Sequence, residues 1–490
     1  ALQWVINGYL LAMCVLVVTL SRLGDQFGRR TVFLIGNAIF AVGAVVCATA
    51  PSPAVLIAGR ILQGAGGAAM LGLSLAIVSN AFSDRDRPRA LGIWTAVSAI
   101  ALAVGPLVGG VLIDQASWRG IFWMAVPVAL LGMAITRWKA PNRTDESAAR
   151  QLDVPGLLAI TLGLSAVILA LVQGQAWGWG SAATIGLLVV GVAALVSLWF
   201  VEHRVAHPII EFGLFRNRSY LGATAAAFAL VGAYWVVMYL QPQYLQNILG
   251  YSPIEAGLLV LPITAPMIFL STVAGRSARR FGVRPTMTLG MVLGTAGLLL
   301  QTRVQADSDY WTVLFPAFLL FGVSLALVYT PMSTAAMEAL PRAKAGIAAG
   351  VLAMNRLLAG SLLLAITGAV FAALEAQQVD AVLAENGSGG VPAADRGELD
   401  GLLAGSASAK AELAGLPSPV ASSIHDGAAE AFSYALGHSM WVLVAVGLAG
   451  TVLTWWLLAG QTTGSAAVAD AEGPVPAADQ HHYAQHRRPH

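Results

Sequence analysis

Two arginines stand deep inside apolar runs of this chain, where a charge costs at least a few kcal/mol unless it meets a cavity or a partner. Arg60 opens the run Arg60-Ile61-Leu62-Gln63-Gly64-Ala65-Gly66, about six residues into its apolar segment. A side chain at that depth either snorkels to the interface or faces a cavity or a partner inside. Arg356, next to Asn355, lies about ten residues into its segment and is too deep to snorkel easily. It faces a central cavity or a carbonyl cluster, with a purely structural hydrogen-bonding role as the alternative. A third charged group is Asp25, between Gly24 and Gly28 and among Arg22, Arg29 and Arg30. The glycines permit a tight turn, and the carboxylate can cap the following helix and hold an arginine. Two readings stand: a latch made in one conformational state and broken in another, or a static cap beside arginines that set topology.

Proton-coupled chemistry needs a carboxylate that changes protonation, and no Asp or Glu falls in the middle of any apolar run. Asp114, Glu255 and Glu338 sit at run ends, where capping or hydration is the default role. The chain carries no GxSxG, no HExxH, no P-loop and no paired intramembrane carboxylates, so neither a membrane-embedded enzyme nor ATP-driven transport within this chain is expected. Cys14 and Cys47 lie in apolar runs without a CxxC and read as packed thiols. His481, His482, His486 and His490 could catch a metal, but a solvated tail is the plainer account; no metal site is assigned.

These groups must be positioned by membrane-spanning helices. Hydrophobic residues make up 57% of the 490 and charged residues 11%, against about 25% charged in soluble globular proteins. A lipid-exposed backbone must satisfy its own hydrogen bonds, so long apolar runs are helices. Thirteen runs approach the roughly 20 residues a span requires: 3–21, 31–49, 54–80, 90–113, 119–136, 154–173, 182–201, 219–240, 254–274, 286–302, 310–329, 346–373 and 431–460. Alternate connections hold 21 basic residues on one side and four on the other, namely Arg119, Arg303, Arg396 and Lys410. The basic side is expected to be cytoplasmic, which places residue 1 outside and the C-terminus inside. The net charge of +2 gives no sign of a nucleic-acid partner.

The stretch Ser21-Arg22-Leu23-Gly24-Asp25-Gln26-Phe27-Gly28-Arg29-Arg30 returns as Gly275-Arg276-Ser277-Ala278-Arg279-Arg280-Phe281-Gly282-Val283-Arg284. Arg22, Phe27, Gly28 and Arg30 recur at one offset of 254 residues. Both copies lie on the same side with eight spans between them, which predicts a parallel repeat about an axis along the membrane normal. Substrate would then bind between the halves near the midplane, with access alternating as one half rocks on the other.

At four places the sequence resembles the major facilitator superfamily, in particular its fourteen-helix drug:proton antiporter branch. The 21–30 stretch is similar to the family's loop between helices 2 and 3, with Ser21 where glycine is usual. Arg60-Ile61-Leu62-Gln63-Gly64 resembles the R-x-x-Q-G motif of helix 4. Gly105-Pro106-Leu107-Val108-Gly109-Gly110 resembles the end of the helix-5 antiporter motif, whose earlier glycine positions hold Ala101 and Trp94 here. Tyr244-Leu245-Gln246 through Gly250-Tyr251-Ser252-Pro253, with Gly257, is similar to the segment joining helices 9 and 10. The resemblance covers about three quarters of the chain.

It implies an all-α polytopic membrane protein of the major facilitator fold, with two six-helix bundles and two extra central helices. Thirteen of fourteen helices would be visible, the first lying outside this sequence along with an acidic residue that the branch uses for coupling. The expected division is an N-terminal bundle at 1–150, the additional helices and linker at 151–216, a C-terminal bundle at 217–460 and a low-complexity cytoplasmic tail at 461–490. The extra pair at 154–173 and 182–201 reads as structural. The segment 374–430 reads as a long external loop with nine acidic residues, either a mobile insertion or an acidic funnel for cations.

The resemblance also distributes roles. Arg22, Gly24, Asp25, Gly28, Arg29 and Arg30 would form the latch. Arg60, Gln63 and Gly64 would serve proton coupling, and Gly105, Pro106, Gly109 and Gly110 would form an antiporter helix that seals against leak. Bends at proline and close approach at glycine give that helix its physical basis. Tyr234, Trp235, Met238 and Tyr239 share one side of a helix and suit flat apolar or cationic ligands, although an aromatic belt is also expected near that helix end. With Trp94, Asn355 and Arg356 they form the candidate substrate cavity. The expected function is export of amphipathic or cationic small molecules in exchange for protons. The proton motive force would replace any cofactor, and the protein would act as a monomer in a bacterial inner membrane. A facilitator or importer of a polar metabolite is the nearer alternative, and an embedded enzyme or sensor the remote one.

Overall fold

The computed structural model describes residues 2–82, 87–140, 153–205, 212–339, 345–385 and 418–458. Among them are fourteen α-helices and no strand: α1 (Leu2–Phe27), α2 (Arg29–Ala48), α3 (Pro53–Ala81), α4 (Arg87–Gln115), α5 (Trp118–Lys139), α6 (Val154–Trp177), α7 (Ala182–Glu202), α8 (Arg218–Gln243), α9 (Pro253–Leu259), α10 (Leu261–Phe281), α11 (Val283–Gln301), α12 (Phe315–Glu338), α13 (Ala345–Glu385) and α14 (Ser418–Leu457). Every expected span coincides with a helix, except that the ninth is the bent pair α9 and α10, which meet at 41°. Ten helices among the described residues are long and apolar enough to cross a membrane, or eleven with that pair counted as one.

Side chains set where several helices begin. Ser52 Oγ accepts from the Val55 amide at 3.4 Å, and Asp153 Oδ1 accepts from Gly156 at 2.8 Å ahead of α6. Asn217 Oδ1 caps α8 through Ser219 and Tyr220, while its Nδ2 donates to the carbonyl of Ala339 at 2.6 Å and so ties α8 to the end of α12. Ser252 and Glu255 form a reciprocal capping box at α9. Each such cap satisfies amides that a helix start leaves open. Glu255 is thus a cap, as its place at a span end suggested.

Three boundaries differ from the sequence reading. The 21–30 stretch is mostly helix: α1 continues to Phe27, and the reversal is made by Gly28 alone, at φ 97. The 374–430 segment is helical at both ends, because α13 runs to Glu385 and α14 starts at Ser418. Its Ala, Glu and Gln content supports helix without needing lipid. α13 has 41 residues and is about 61 Å long, roughly twice the hydrocarbon thickness, so its last turns stand clear of the apolar layer. The middle of that segment, 386–417, and the tail from 459, including the four tail histidines, lie outside the described residues.

The repeat is present in the backbone. Moved by the offset that carries Arg22 onto Arg276, the end of α1 falls on the end of α10 and the start of α2 on the start of α11. α3 and α4 likewise overlap α12 and α13, whose starts lie eight and four residues further on. Gly28 and Gly282 occupy the same turn with the same φ of 97. In the first half α2 packs on α1, α3 and α5; in the second α11 packs on α10, α12 and α14. The exposed large apolar side chains, such as Val128, Leu131, Val189 and Val452, are those of helices that face lipid.

Gly28→Ala and Gly282→Ala place a side chain at positive φ, which costs about 1–2 kcal/mol. Each should lower the thermal unfolding midpoint of the purified protein by a similar amount. Gly275→Ala, helical and open on its Cβ side, should leave the midpoint unchanged or raised.

Candidate functional site

The first half is organised around Arg60. Its Nε donates to the Val5 carbonyl at 2.8 Å and its Nη1 to Gln63 Oε1 at 2.6 Å. The guanidinium carbon lies 4.1 Å from the Tyr9 ring centroid and 5.9 Å from that of Phe122. Arg60 therefore turns inward rather than snorkelling, because a carbonyl, an amide and a π-face stand within reach. The rest of the motif makes this approach possible. A Cβ on Gly64 would run into the Tyr9 carbonyl oxygen, and one on Gly66 into the backbone of Gly36 and Phe40. On the facing helix, a Cβ on Gly43 would stand 2.6 Å from the Gln63 amide nitrogen. Small residues thus bring α1 and α2 against α3 at backbone distance, and Gln63 is sealed beneath them with 3% exposure.

Arg356 is the intramembrane arginine of the second half, but it stands on α13, the repeat's counterpart of α4 rather than of α3, and has different partners. Its Nη2 donates to Ser333 Oγ at 2.7 Å and its Nη1 to the Tyr329 hydroxyl at 3.3 Å. The guanidinium carbon lies 4.5 Å from the Tyr329 ring centroid. The Nε is buried and unbonded among the described residues. Asn355 does not join it; its Nδ2 donates to the Thr224 carbonyl at 2.9 Å and locks α13 to α8.

The latch residues are only partly brought together. Arg30 Nη1 donates to the Ala140 carbonyl at 3.2 Å, closing the end of α5. Gly24 gives room to the Leu73 side chain, and Arg29 is half-buried and partnered. The side chains of Arg22 and Asp25 lie outside the described residues.

Two seams join the halves. At one, α4 meets α9 and α10: a Cβ on Gly110 would strike the Pro253 carbonyl, and one on Gly257 would stand 2.7 Å from the Pro106 carbonyl. At Gly105 and Gly109, from the same motif, a Cβ would meet nothing within 4 Å among the described residues. At the other seam α1 meets α13. Cys14 Sγ lies 3.6 Å from the Met354 carbonyl, and Ser361 Oγ 3.5 Å from Asn7 Oδ1. The repeat relates α1 to α10 and α4 to α13, so the seams are equivalent. Helix α6 covers the second: Ile160 and Leu164 share an apolar cluster with Leu10, Met13 and Leu357.

The aromatic set divides. Tyr234 is buried in the core of the second half. Trp235 is half-buried, packs on Gly360, and lies against both the second-half core and the cluster at the α1–α13 seam, which includes Met354 and Leu357. Met238 and Tyr239 pack on the second-half core, and Trp94 is half-buried on α4. The rings that reach outward are others, including Trp311 at 67% and Phe269 at 72% exposure. They border an open, almost wholly apolar groove of about 560 Å³ between α9–α10 and α12, whose lining includes neither arginine.

Sequence reading missed Tyr9, Tyr329 and Ser333. The last two stand four apart on α12, a spacing that puts them on one helix face, but nothing in one sequence joins that face to Arg356. It also missed the buried carboxylates Asp153 and Glu202, which end the helix pair that otherwise carries no charge.

Gly110→Val and Gly257→Val should hold the α4–α9 seam apart, lowering transport at least about tenfold with the unfolding midpoint shifted by only a few degrees. Gly105→Ala, which meets nothing, should leave both unchanged. Transport and melting measured on the same preparations check this.

The Major Facilitator Superfamily family model matches residues 1–364. Multidrug resistance protein Stp of Mycobacterium tuberculosis is 35% identical over 373 residues, covering 76% of this chain and 69% of the relative. The Tetracenomycin C resistance and export protein of Streptomyces glaucescens is 33% identical over 375 residues, covering 76% and 69%. The crystal structure of an auto-inhibited POT family peptide transporter superposes with a TM-score of 0.57 at 15% identity, covering 92% of this chain and 87% of that one, a likeness of fold alone. The match over most of the chain and the repeat-related halves lead to one conclusion: this chain belongs to the major facilitator superfamily, and is a multi-pass membrane transporter rather than an enzyme.

Proposed function

We propose that the chain exports amphipathic small molecules, drugs and antibiotics among them, in exchange for protons by alternating access. The observation that carries this reading is the pair of equivalent seams. Among the described residues, both glycine-to-backbone approaches between the halves, at Gly110 and Gly257, lie at the end opposite Gly28 and Gly282. The excess of arginine around those two glycines makes theirs the cytoplasmic end. The contacts then close the outer side, as an inward-facing state requires, and breaking them while closing the other end would turn the site outward. Relatives named for multidrug resistance and for tetracenomycin C export support the choice of cargo.

In this reading the protein is a monomer of the bacterial inner membrane, with thirteen spans in this sequence and its C-terminus in the cytoplasm. α1–α5 and α8–α14 form the two bundles, and α6–α7 is the added pair. Arg60 is the coupling cation: its carbonyl, amide and ring partners are neutral, so a carboxylate brought near it would lose its proton more readily. Gln63 and Gly64 keep it in place. Arg30 and Gly28 belong to the cytoplasmic latch, in which Asp25 and Arg22 hold the closed cytoplasmic state. Trp235, at the join of both halves, and Arg356 border the cargo path.

The test uses the chain in liposomes under an imposed pH gradient, with a panel of lipophilic dyes of either charge and none, and internal pH followed together. Gradient-driven dye movement with matching proton flux is expected. Arg60→Ala should remove at least about 90% of the gradient-dependent component, since it strips a charged hydrogen-bond partner from two buried acceptors. Dye movement indifferent to the gradient would contradict antiport and leave a facilitator.

A further inference from the structure

We infer that Arg356, together with the Tyr329 hydroxyl, is a subsite for an acidic group on the cargo (a carboxylate, a sulfonate or an acidic phenol), so that the molecules this chain favours are amphipathic acids. The inference rests on the export reading and narrows its cargo.

The first argument is charge. Among the described residues, the charges in the middle of the spans are Arg60 and Arg356, both positive, with carboxylates kept to the span ends. Arg60 is enclosed by two oxygen acceptors and an aromatic face within one half. Arg356 is held by two hydroxyl oxygens and a ring, and among the described residues no carboxylate is a partner. An unpaired guanidinium at this depth is stabilised most by an anion that forms charge-assisted hydrogen bonds. A cation in the same place is repelled.

The second argument is donor bookkeeping. Ser333 Oγ accepts from Arg356 and spends its own hydrogen on the Tyr329 carbonyl at 3.0 Å. The Tyr329 hydroxyl also accepts from Arg356, but no acceptor among the described residues takes its hydrogen. A hydroxyl has one donor and two acceptor sites, so Tyr329 retains an O–H beside a guanidinium with N–H groups to spare. Spare donors on a cation and on the adjoining phenol suit the two oxygens of an acid. Both side chains are half-buried rather than sealed. Asn355, one residue earlier, pins α13 to α8 through the Thr224 carbonyl, which fixes the direction from which Arg356 projects. An apolar body is accommodated nearby, where Trp235 lies between the two clusters on Gly360, one turn further along α13.

The test compares three probes with one apolar body, 1-pyrenebutyrate, 1-pyrenebutanol and pyrenebutyl-trimethylammonium. Their binding to the full chain in lipid nanodiscs is titrated by fluorescence in chloride-free buffer, and their uptake is measured in liposomes under a pH gradient. Wild type should bind the acid at least about tenfold more tightly than the ammonium probe. Arg356→Gln should abolish that preference and leave pyrenebutanol within about twofold. Arg356→Lys should retain most of the preference, and Tyr329→Phe should lose about threefold for the acid alone. Equal losses for all three probes in Arg356→Gln would mean a structural arginine and overturn the inference. So would a wild-type preference for the ammonium probe, and gradient-driven uptake of that probe without uptake of the acid would leave export standing while sinking the acid subsite. Failure of the folded protein to bind or move any of the three would bring down the export reading and this inference together.

Discussion

A guanidinium inside a membrane has to be held, and here both are held by groups without charge. Arg60 uses a backbone carbonyl, a glutamine oxygen and the face of Tyr9; Arg356 uses two hydroxyls and the face of Tyr329. Neutral partners repay part of the desolvation cost and leave the positive field uncancelled. That field is what a proton carrier or an acidic cargo can answer to. The glycines around Arg60 follow from the same need, since the Val5 carbonyl and the Tyr9 ring come within reach only if α1 lies against α3 at backbone distance.

The joins between the halves are built on a second economy. Gly110 and Gly257 bring α4 and α9 to backbone contact, and α1 meets α13 through a thiol, an amide and a hydroxyl at long hydrogen-bond distances. At both glycines the atoms a Cβ would meet are neighbouring backbone, the Pro253 carbonyl and Ile254 Cα at one and the Pro106 carbonyl and Leu107 Cα at the other. The interior of the second half differs from this seam in being packed around large buried rings, Tyr220, Tyr244, Phe318 and Phe432, and close packing of that kind resists deformation. α6 adds an apolar cover along one seam.

Much of this was legible in the sequence. Apolar run length located the helices apart from the split into α9 and α10, because lipid leaves the backbone no other solution, and the echo of Arg22, Phe27, Gly28 and Arg30 revealed the repeat that the matching turns at Gly28 and Gly282 display. Periodicity could not find the break between α9 and α10, where the chain stays apolar while its direction changes. Nor could it see that the Ala- and Glu-rich ends of the 374–430 segment continue as helix. At the site, Arg60 and Arg356 stood out by charge alone. Their partners Tyr9, Tyr329 and Ser333 did not, since a polar residue in an apolar run acquires meaning only from the helix placed opposite. The antiporter motif divided in the same way: Gly110 and Pro106 meet α9, while among the described residues nothing lies within 4 Å of a Cβ on Gly105 or Gly109.

The central claim is that the halves exchange closure at one end for closure at the other. Pulsed electron spin resonance between paired labels measures this directly. One pair is Ala116 with Asp307, at the outer end of each half; the other is Phe82 with Phe281, at the cytoplasmic end, all four lying outside the helix cores. Between alkaline and acidic buffer in lipid nanodiscs, the account predicts that one distance lengthens as the other shortens, by several ångströms each. Distances that stay fixed in both pairs, while the same preparation transports, would contradict it.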